Sequence, residues 1–262
     1  MAQEARAIRT LRLGDIELRR IGLGTNRLRD TPGNIALVRE AVAAGVTMID
    51  TAHTYTGGES EETIGAALSP MPKDVVVATK GGWGGAGRGR PEVLRAEIEE
   101  SVRRLRTESI GLYYLHRVDP GTPLEQSVAA IAEYRESGKI RDVGLSEVGI
   151  EEIERARQVI PIAAVQNRFN LSERTYDEVV DYCEREGIVF VPFFPLRGDG
   201  GPALAEIAAS HGATSAQIAL AWLLRRSPAM LPIPGTLSRE HLRENLGALE
   251  IELTDEEFAA LR

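Results

Sequence analysis

Met48-Ile-Asp-Thr-Ala-His-Thr-Tyr55 is a short apolar run that ends on a carboxylate and turns at once toward a tyrosine. Val76-Val-Ala-Thr-Lys80 ends in the same manner on a lysine, and Tyr113-Tyr-Leu-His116 on a histidine. Asp50, Lys80 and His116 thus stand at or just beyond the carboxyl ends of predicted strands, and Tyr55 lies in the turn after one of them. A (β/α)8 TIM barrel brings the carboxyl ends of its parallel strands together on one rim, so this placement predicts an α/β barrel with its chemistry there.

Working outward, short runs rich in Val, Ile and Leu alternate with longer amphipathic stretches along the whole chain, the pattern of repeated βα units around a parallel sheet. The predicted strands are Arg20–Gly24, Thr47–Asp50, Val75–Thr79, Ile110–Leu115, Asp142–Ser146, Ala163–Gln166, Val189–Phe193 and Met230–Ile233. Between them, Pro91–Leu105 carries apolar residues at helical spacing and acidic residues early, where the helix dipole favours them. Eight strands with no linker predict a closed barrel, and residues 1–262 read as one domain. Ahead of the first strand, Leu11–Leu18 alternates around Gly14-Asp15 and predicts a β-hairpin closing the bottom of the barrel.

A chain of 262 residues with 43% hydrophobic side chains can bury a large core, and a net charge of −8 leaves no basic stripe for nucleic acid or an anionic membrane. The amino-terminal Met1–Ala7 has no apolar secretory core, and no stretch approaches the ~20 apolar residues of a membrane span. Cys183 is the one cysteine, set in the amphipathic run that begins at Tyr176. It reads as a helix residue rather than a nucleophile, in a reducing, cytoplasmic compartment. The four histidines show no metal-ligand spacing, so no metal is expected.

Tyrosine is a poor acid near neutral pH, with a reference pKa of about 10, so a catalytic Tyr55 needs a cation beside it. Lys80 is the natural supplier, Asp50 would keep a buried lysine charged and aimed, and His116 would hydrogen-bond a substrate oxygen or relay a proton. Each residue alone has an ordinary structural reading. Together, on neighbouring strand ends, they read as a site.

In these residues the chain resembles the aldo-keto reductase superfamily. Asp50-Thr-Ala followed by Tyr55, Lys80 after Ala78-Thr79, and His116 after Tyr113-Tyr-Leu match in order the family's Asp, Tyr, Lys and His tetrad. The resemblance implies a barrel that binds NADP(H) in extended form and reduces carbonyls to alcohols, with Tyr55 protonating the oxygen. It implies that Ser146 and Gln166 hold the nicotinamide carboxamide and that Phe193 stacks on the ring. Gly24, Thr25, Pro195, Leu196 and Arg197 would line the cofactor's path. Pro234, Gly235, Thr236, Arg239, His241, Glu244 and Asn245 would meet its phosphates and adenine. A helix start after Gly235-Thr236 offers free N–H groups to a phosphate independently of the family argument.

Three departures stand out: Glu147 where the family commonly has Asn, Gly235 where many members have Lys, and His241 where many have Arg. Arg197, Arg239 and Arg243 are the replacement cations, which keeps NADP(H) ahead of NAD(H). The stretch Gly82-Trp-Gly-Gly-Ala-Gly87 fits a dinucleotide fingerprint but lacks its context, because Arg88-Gly-Arg-Pro91 separates it from the next helix. It reads as a mobile loop over the barrel mouth, with Trp83 as a wall of the substrate pocket. The chain ends at Leu261-Arg262, without the long tail that closes the pocket in some members. The expected activity is reduction of small carbonyl substrates by a monomer, and the look of Val191–Leu196 and Ile233–Thr236 suggests pyridoxal-reductase-like members and an aromatic aldehyde. Two other readings remain: an NADP(H)-binding regulatory subunit with little turnover, and a non-redox barrel enzyme binding a sugar phosphate.

Overall fold

The computed structural model describes residues 9–198 and 200–261. The amino-terminal stretch read for a secretory core and the terminal Arg262 lie outside them. The hairpin forms as predicted: β1 (Thr10–Leu13) pairs antiparallel with β2 (Ile16–Arg19), turning at Gly14, whose φ of +55° suits a glycine. A seven-stranded parallel sheet follows in chain order: β3 (Leu23–Gly24), β4 (Met48–Asp50), β5 (Val76–Gly81), β6 (Ile110–Leu115), β7 (Ile140–Ser146), β8 (Ala164–Gln166) and β9 (Val189–Phe190).

Ten helices are described: α1 (Pro32–Ala43), α2 (Glu59–Leu68), α3 (Pro91–Leu105), α4 (Leu124–Glu136), α5 (Ile150–Arg157), α6 (Asp177–Glu186), α7 (Gly201–Ser210), α8 (Ser215–Arg226), α9 (Arg239–Gly247) and α10 (Asp255–Ala260). Their starts follow local chemistry. Pro32 and Pro91 open α1 and α3 at positions whose N–H would be unpaired anyway, and Thr214 and Thr254 cap α8 and α10 in reciprocal capping boxes. None of the described helices is long and apolar enough to cross a membrane.

The predicted eighth strand, Met230–Ile233, does not form a regular one. Pro232 and Pro234 have no N–H to donate, so the segment pairs through isolated bridges, Phe190 to Met230 and Gly24 to Gly235. It still meets both edges of the sheet: Leu231 N donates to Phe190 O at 2.9 Å, while Gly22 N and Gly24 N donate to Pro232 O and Pro234 O at 3.0 and 3.2 Å. The first strand is also shorter than predicted: Arg20 N donates back to Arg9 O at 3.0 Å, and Gly22 N donates to Pro232 O of the irregular segment at 3.0 Å.

Side chains alternate across each strand, which sorts them into two cores. Outward-facing Ile49, Val77, Tyr113, Leu115, Val143, Val165 and Phe190 pack against the helices. Inward-facing Met48, Val76, Ala78, Leu112, Tyr114, Ala164, Val189 and Leu231 form a separate cluster that Leu13 and Leu18 of the hairpin cover. Gly144 makes room there, since a Cβ on it would stand 2.5 Å from the Tyr114 ring. Carrying the same alternation on toward the carboxyl ends puts Asp50, Lys80, Ser146 and Gln166 on the inner face.

Candidate active site

A cavity of about 490 Å³ opens at these carboxyl ends, lined by Asp50, Tyr55, His116, Ser146 and Gln166, with Trp83, Arg117, Arg168, Phe193 and Phe194 around them. Lys80 lies beneath it with no exposed surface. Its ammonium donates to Asp50 Oδ1 at 2.6 Å and to Thr51 O at 2.6 Å, and stands 3.5 Å from the Tyr55 hydroxyl. The other oxygen of Asp50 accepts from Gln166 Nε2 at 2.7 Å, so the carboxylate is committed on both sides. Burial opposes charge on Lys80, but Asp50 and Tyr55 together outweigh it and hold the ammonium above its usual range. Burial raises the Asp50 carboxyl, against the pull of Lys80 and Gln166. With an ammonium at 2.6 Å, the pair is ionic, and breaking either half would strand a buried charge.

Tyr55 opens a tight turn, Tyr55–Gly58, in which Thr56, Gly57 and Gly58 take φ of 51°, 70° and 102°. Arg104 of α3 clamps that turn, donating to His53 O at 2.9 Å and to Glu61 at 3.2 Å, and a Cβ on Gly58 would stand 2.4 Å from its guanidinium carbon. Nothing in the sequence around Tyr55 announces this brace from a helix some fifty residues away.

His116 is buried, and its Nδ1 has no partner among the described residues. Burial, then Lys80 and Arg117, push its pKa down to about 2. The imidazole is therefore neutral at any ordinary pH, a hydrogen-bonding group rather than a cation. The Trp83 ring lies against it with centroids 4.6 Å apart.

Of the residues expected to meet a cofactor, Gly24, Thr25, Ser146, Gln166, Phe193, Pro195 and Gly235 line the same cavity. The Thr25 hydroxyl is already engaged, donating to Asp50 O at 2.7 Å and contacting Ser60. Leu196 and Arg197 line a smaller neighbouring cavity, which also includes Pro195. Pro234 and Thr236 belong to the irregular segment, and His241, Glu244 and Asn245 to α9, whose cap Ser238 accepts from His241 N. Arg239 is held by Glu40 of α1 through both carboxylate oxygens, at 2.5 and 2.9 Å. Glu147 sits in the left-handed region, φ +58°, where Asn is tolerated better. Its carboxylate accepts from Arg168 N at 2.7 Å.

The glycine-rich loop is better anchored than a mobile flap. Asp119 accepts from Gly87 N, Gly89 N, Gly121 N and the Thr122 hydroxyl at 2.8 to 3.0 Å, and Glu97 accepts from Gly82 N and pairs with Arg88. These bonds hold the Asp119 carboxyl down at about 2, against the effect of burial. Sequence reasoning missed Arg117 and Arg168, although both follow residues it had placed at strand ends.

The Aldo/keto reductase family model matches residues 20–202 and 199–262. Pyridoxine 4-dehydrogenase of Escherichia coli is 36% identical over 279 residues, covering 96% of this chain and 96% of that protein. An uncharacterized oxidoreductase of Schizosaccharomyces pombe is 38% identical, covering 99% and 91%. Among solved structures, a thermostable aldo-keto reductase in complex with the inhibitor epalrestat superposes with a TM-score of 0.88 at 33% identity, over 96% of this chain and 98% of that one. An aldo-keto reductase of Klebsiella pneumoniae in complex with NADPH superposes with a TM-score of 0.88 at 30% identity, over 97% and 93%. Sequence, fold and the matched residue ranges agree: this chain belongs to the aldo/keto reductase family, whose members are NAD(P)H-dependent oxidoreductases.

Proposed function

We propose that the chain reduces aldehydes or ketones to alcohols with NADPH, Tyr55 acting as the general acid. One observation carries this reading: Lys80, fully buried and fixed by Asp50, ends 3.5 Å from the Tyr55 hydroxyl at the floor of an open cavity.

The cavity's chemistry fits a nicotinamide. Phe193 offers an aromatic face, Ser146 and Gln166 line the same cavity, and the solved Klebsiella reductase carries NADPH. Arg197, Arg239 and Arg243 would supply the cations for its phosphates, with Arg239 shared with Glu40. When bound, the cofactor supplies the hydride. The protein's own residues do the rest. The neutral His116 orients the carbonyl oxygen, Tyr55 gives that oxygen its proton, and the Lys80 ammonium stabilises the phenolate left behind. Asp50 keeps the ammonium charged and pointed at the hydroxyl.

The barrel reading belongs to this proposal. The bonds of residues 229–235 to both β9 and β3 support an eight-stranded closure, and the helix-facing core, running from Ile21 to Leu261, supports a single domain. The test is fluorescence titration with NADPH and NADH, followed by absorbance at the reduced-nicotinamide band with pyridoxal, a nitrobenzaldehyde and a diketone. Oxidation of NADPH by any of them supports the reductase. Tight binding without turnover would replace it with a regulatory role.

A further inference from the structure

The cavity mouth carries two guanidinium groups that the proposed reduction does not use. Arg117 follows His116 directly and is half-buried. Its Nη1 donates to His116 O at 2.6 Å and to the Ser146 hydroxyl at 3.0 Å, and its guanidinium carbon lies 4.6 Å from the Trp83 ring centre and 5.9 Å from that of Phe193. Arg168 reaches the same place from the end of β8, its guanidinium carbon 5.9 Å from the centre of Phe193 and 5.4 Å from that of Phe194. Two cations thus lie against the Phe193 ring.

Among the described residues, neither guanidinium forms an ion pair, although many other described arginines do. Glu147 near Arg117 and Glu173 near Arg168 are the acids at hand, and neither forms an ion pair with them among the described residues. Glu147 Oε1 is spent on the Arg168 backbone N–H, 2.7 Å away, and the Glu147 carboxylate joins neither side chain. Asp50, the acid of the cavity floor, is matched by Lys80. Glu147 and Glu173 do not line the cavity, whose charged lining residues are Asp50, Arg117 and Arg168, so the lining is net positive in a chain of net charge −8 whose overall field would turn anions away. Unpaired arginines concentrated in one aromatic-walled cavity suit a bidentate anion on an otherwise apolar molecule.

We propose that the preferred substrates are carbonyl compounds bearing an anionic group, a carboxylate or a phosphate, held by Arg117 and Arg168. The inference rests on the reductase reading. Because Trp83 touches both His116 and Arg117, an anion on Arg117 would leave the rest of a small substrate against the Trp83 ring, with its carbonyl near His116 and Tyr55.

The test compares 4-carboxybenzaldehyde with its neutral methyl ester, and pyridoxal 5′-phosphate with pyridoxal, by kcat/KM with NADPH. The expected result is a preference of about tenfold or more for the anionic member of at least one pair; which pair shows it tells carboxylate from phosphate. That ratio should fall toward one in Arg168→Met and in Arg117→Met, whatever their absolute rates, and survive in part in Arg168→Lys. Equal or better turnover of both neutral compounds overturns the inference and leaves the reductase standing. If no compound is turned over, the reductase reading fails, and the anion site is read by quenching of Trp83 fluorescence with benzoate against benzamide. Quenching specific to benzoate and lost in Arg168→Met supports the site, while equal effects of the two ligands overturn it.

Discussion

Two residues make the proposed chemistry separable by measurement. In the proposed reaction the Tyr55 hydroxyl acts on a substrate oxygen and not on a cofactor group, so Tyr55→Phe should lower kcat about a thousandfold while the NADPH Kd, read by fluorescence titration, stays within about twofold. A matching loss of cofactor affinity would remove Tyr55 from the role of acid. His116 leaves its mark on stability. The unfolded chain binds a proton at this residue near the ordinary 6.5, whereas the native imidazole resists protonation down to about 2. Below pH 6.5 the unfolded state thus holds one more proton, and native stability should fall by about 1.4 kcal/mol per pH unit from this group alone. Denaturant unfolding should show that added slope from about pH 6 down to about pH 4 in the wild type relative to His116→Asn. The grouping of Asp50, Tyr55, Lys80 and His116 was legible in the sequence because strand ends and chain order locate it. Arg117 and Arg168 were legible by the same strand-end rule but have no role in the motif that drew attention. The Arg104 brace was not legible, since only the fold brings α3 against the Tyr55 turn.

At the level of elements, apolar periodicity placed β6 and α3 at their observed limits, Ile110–Leu115 and Pro91–Leu105. It failed where backbone chemistry outweighs side-chain pattern. Met230–Ile233 is apolar enough for a strand, but Pro232 within it and Pro234 after it cannot donate to a ladder. The glycine-rich loop looked mobile because glycine permits many conformations, and periodicity says nothing about a carboxylate arriving from the loop after β6. That carboxylate, Asp119, gives the loop its shape, so Asp119→Asn should cost on the order of 1–3 kcal/mol, since an amide oxygen cannot serve all the donors that converge on the carboxylate. Faster amide exchange at Gly87 and Gly89 and a raised KM with kcat little changed are the accompanying signs. The contribution of Asp119 is present above about pH 4 and disappears as pH falls toward 2, because its native carboxyl is held below the unfolded value.

Across the whole molecule, the first part of the chain is stitched to the last by Arg20. This arginine is buried, and its guanidinium donates to Met230 O at 3.1 Å, Leu224 O at 2.7 Å and Ser227 O at 2.5 Å. Burial lowers it to about 10, with Glu184 opposing, so it remains charged at neutral pH. Arg20→Met should leave those carbonyls unsatisfied and cost about 3 kcal/mol or more, read as a lower denaturation midpoint with an unchanged slope. The same stitch spans 210 positions of sequence. A ribosome adding roughly 5–20 residues per second would need some 10–40 s to cover that distance. The earliest strand of the sheet is therefore among the last to be locked, and throughout synthesis the backbone N–H groups of Gly22 and Gly24 wait for carbonyls that have not yet been made.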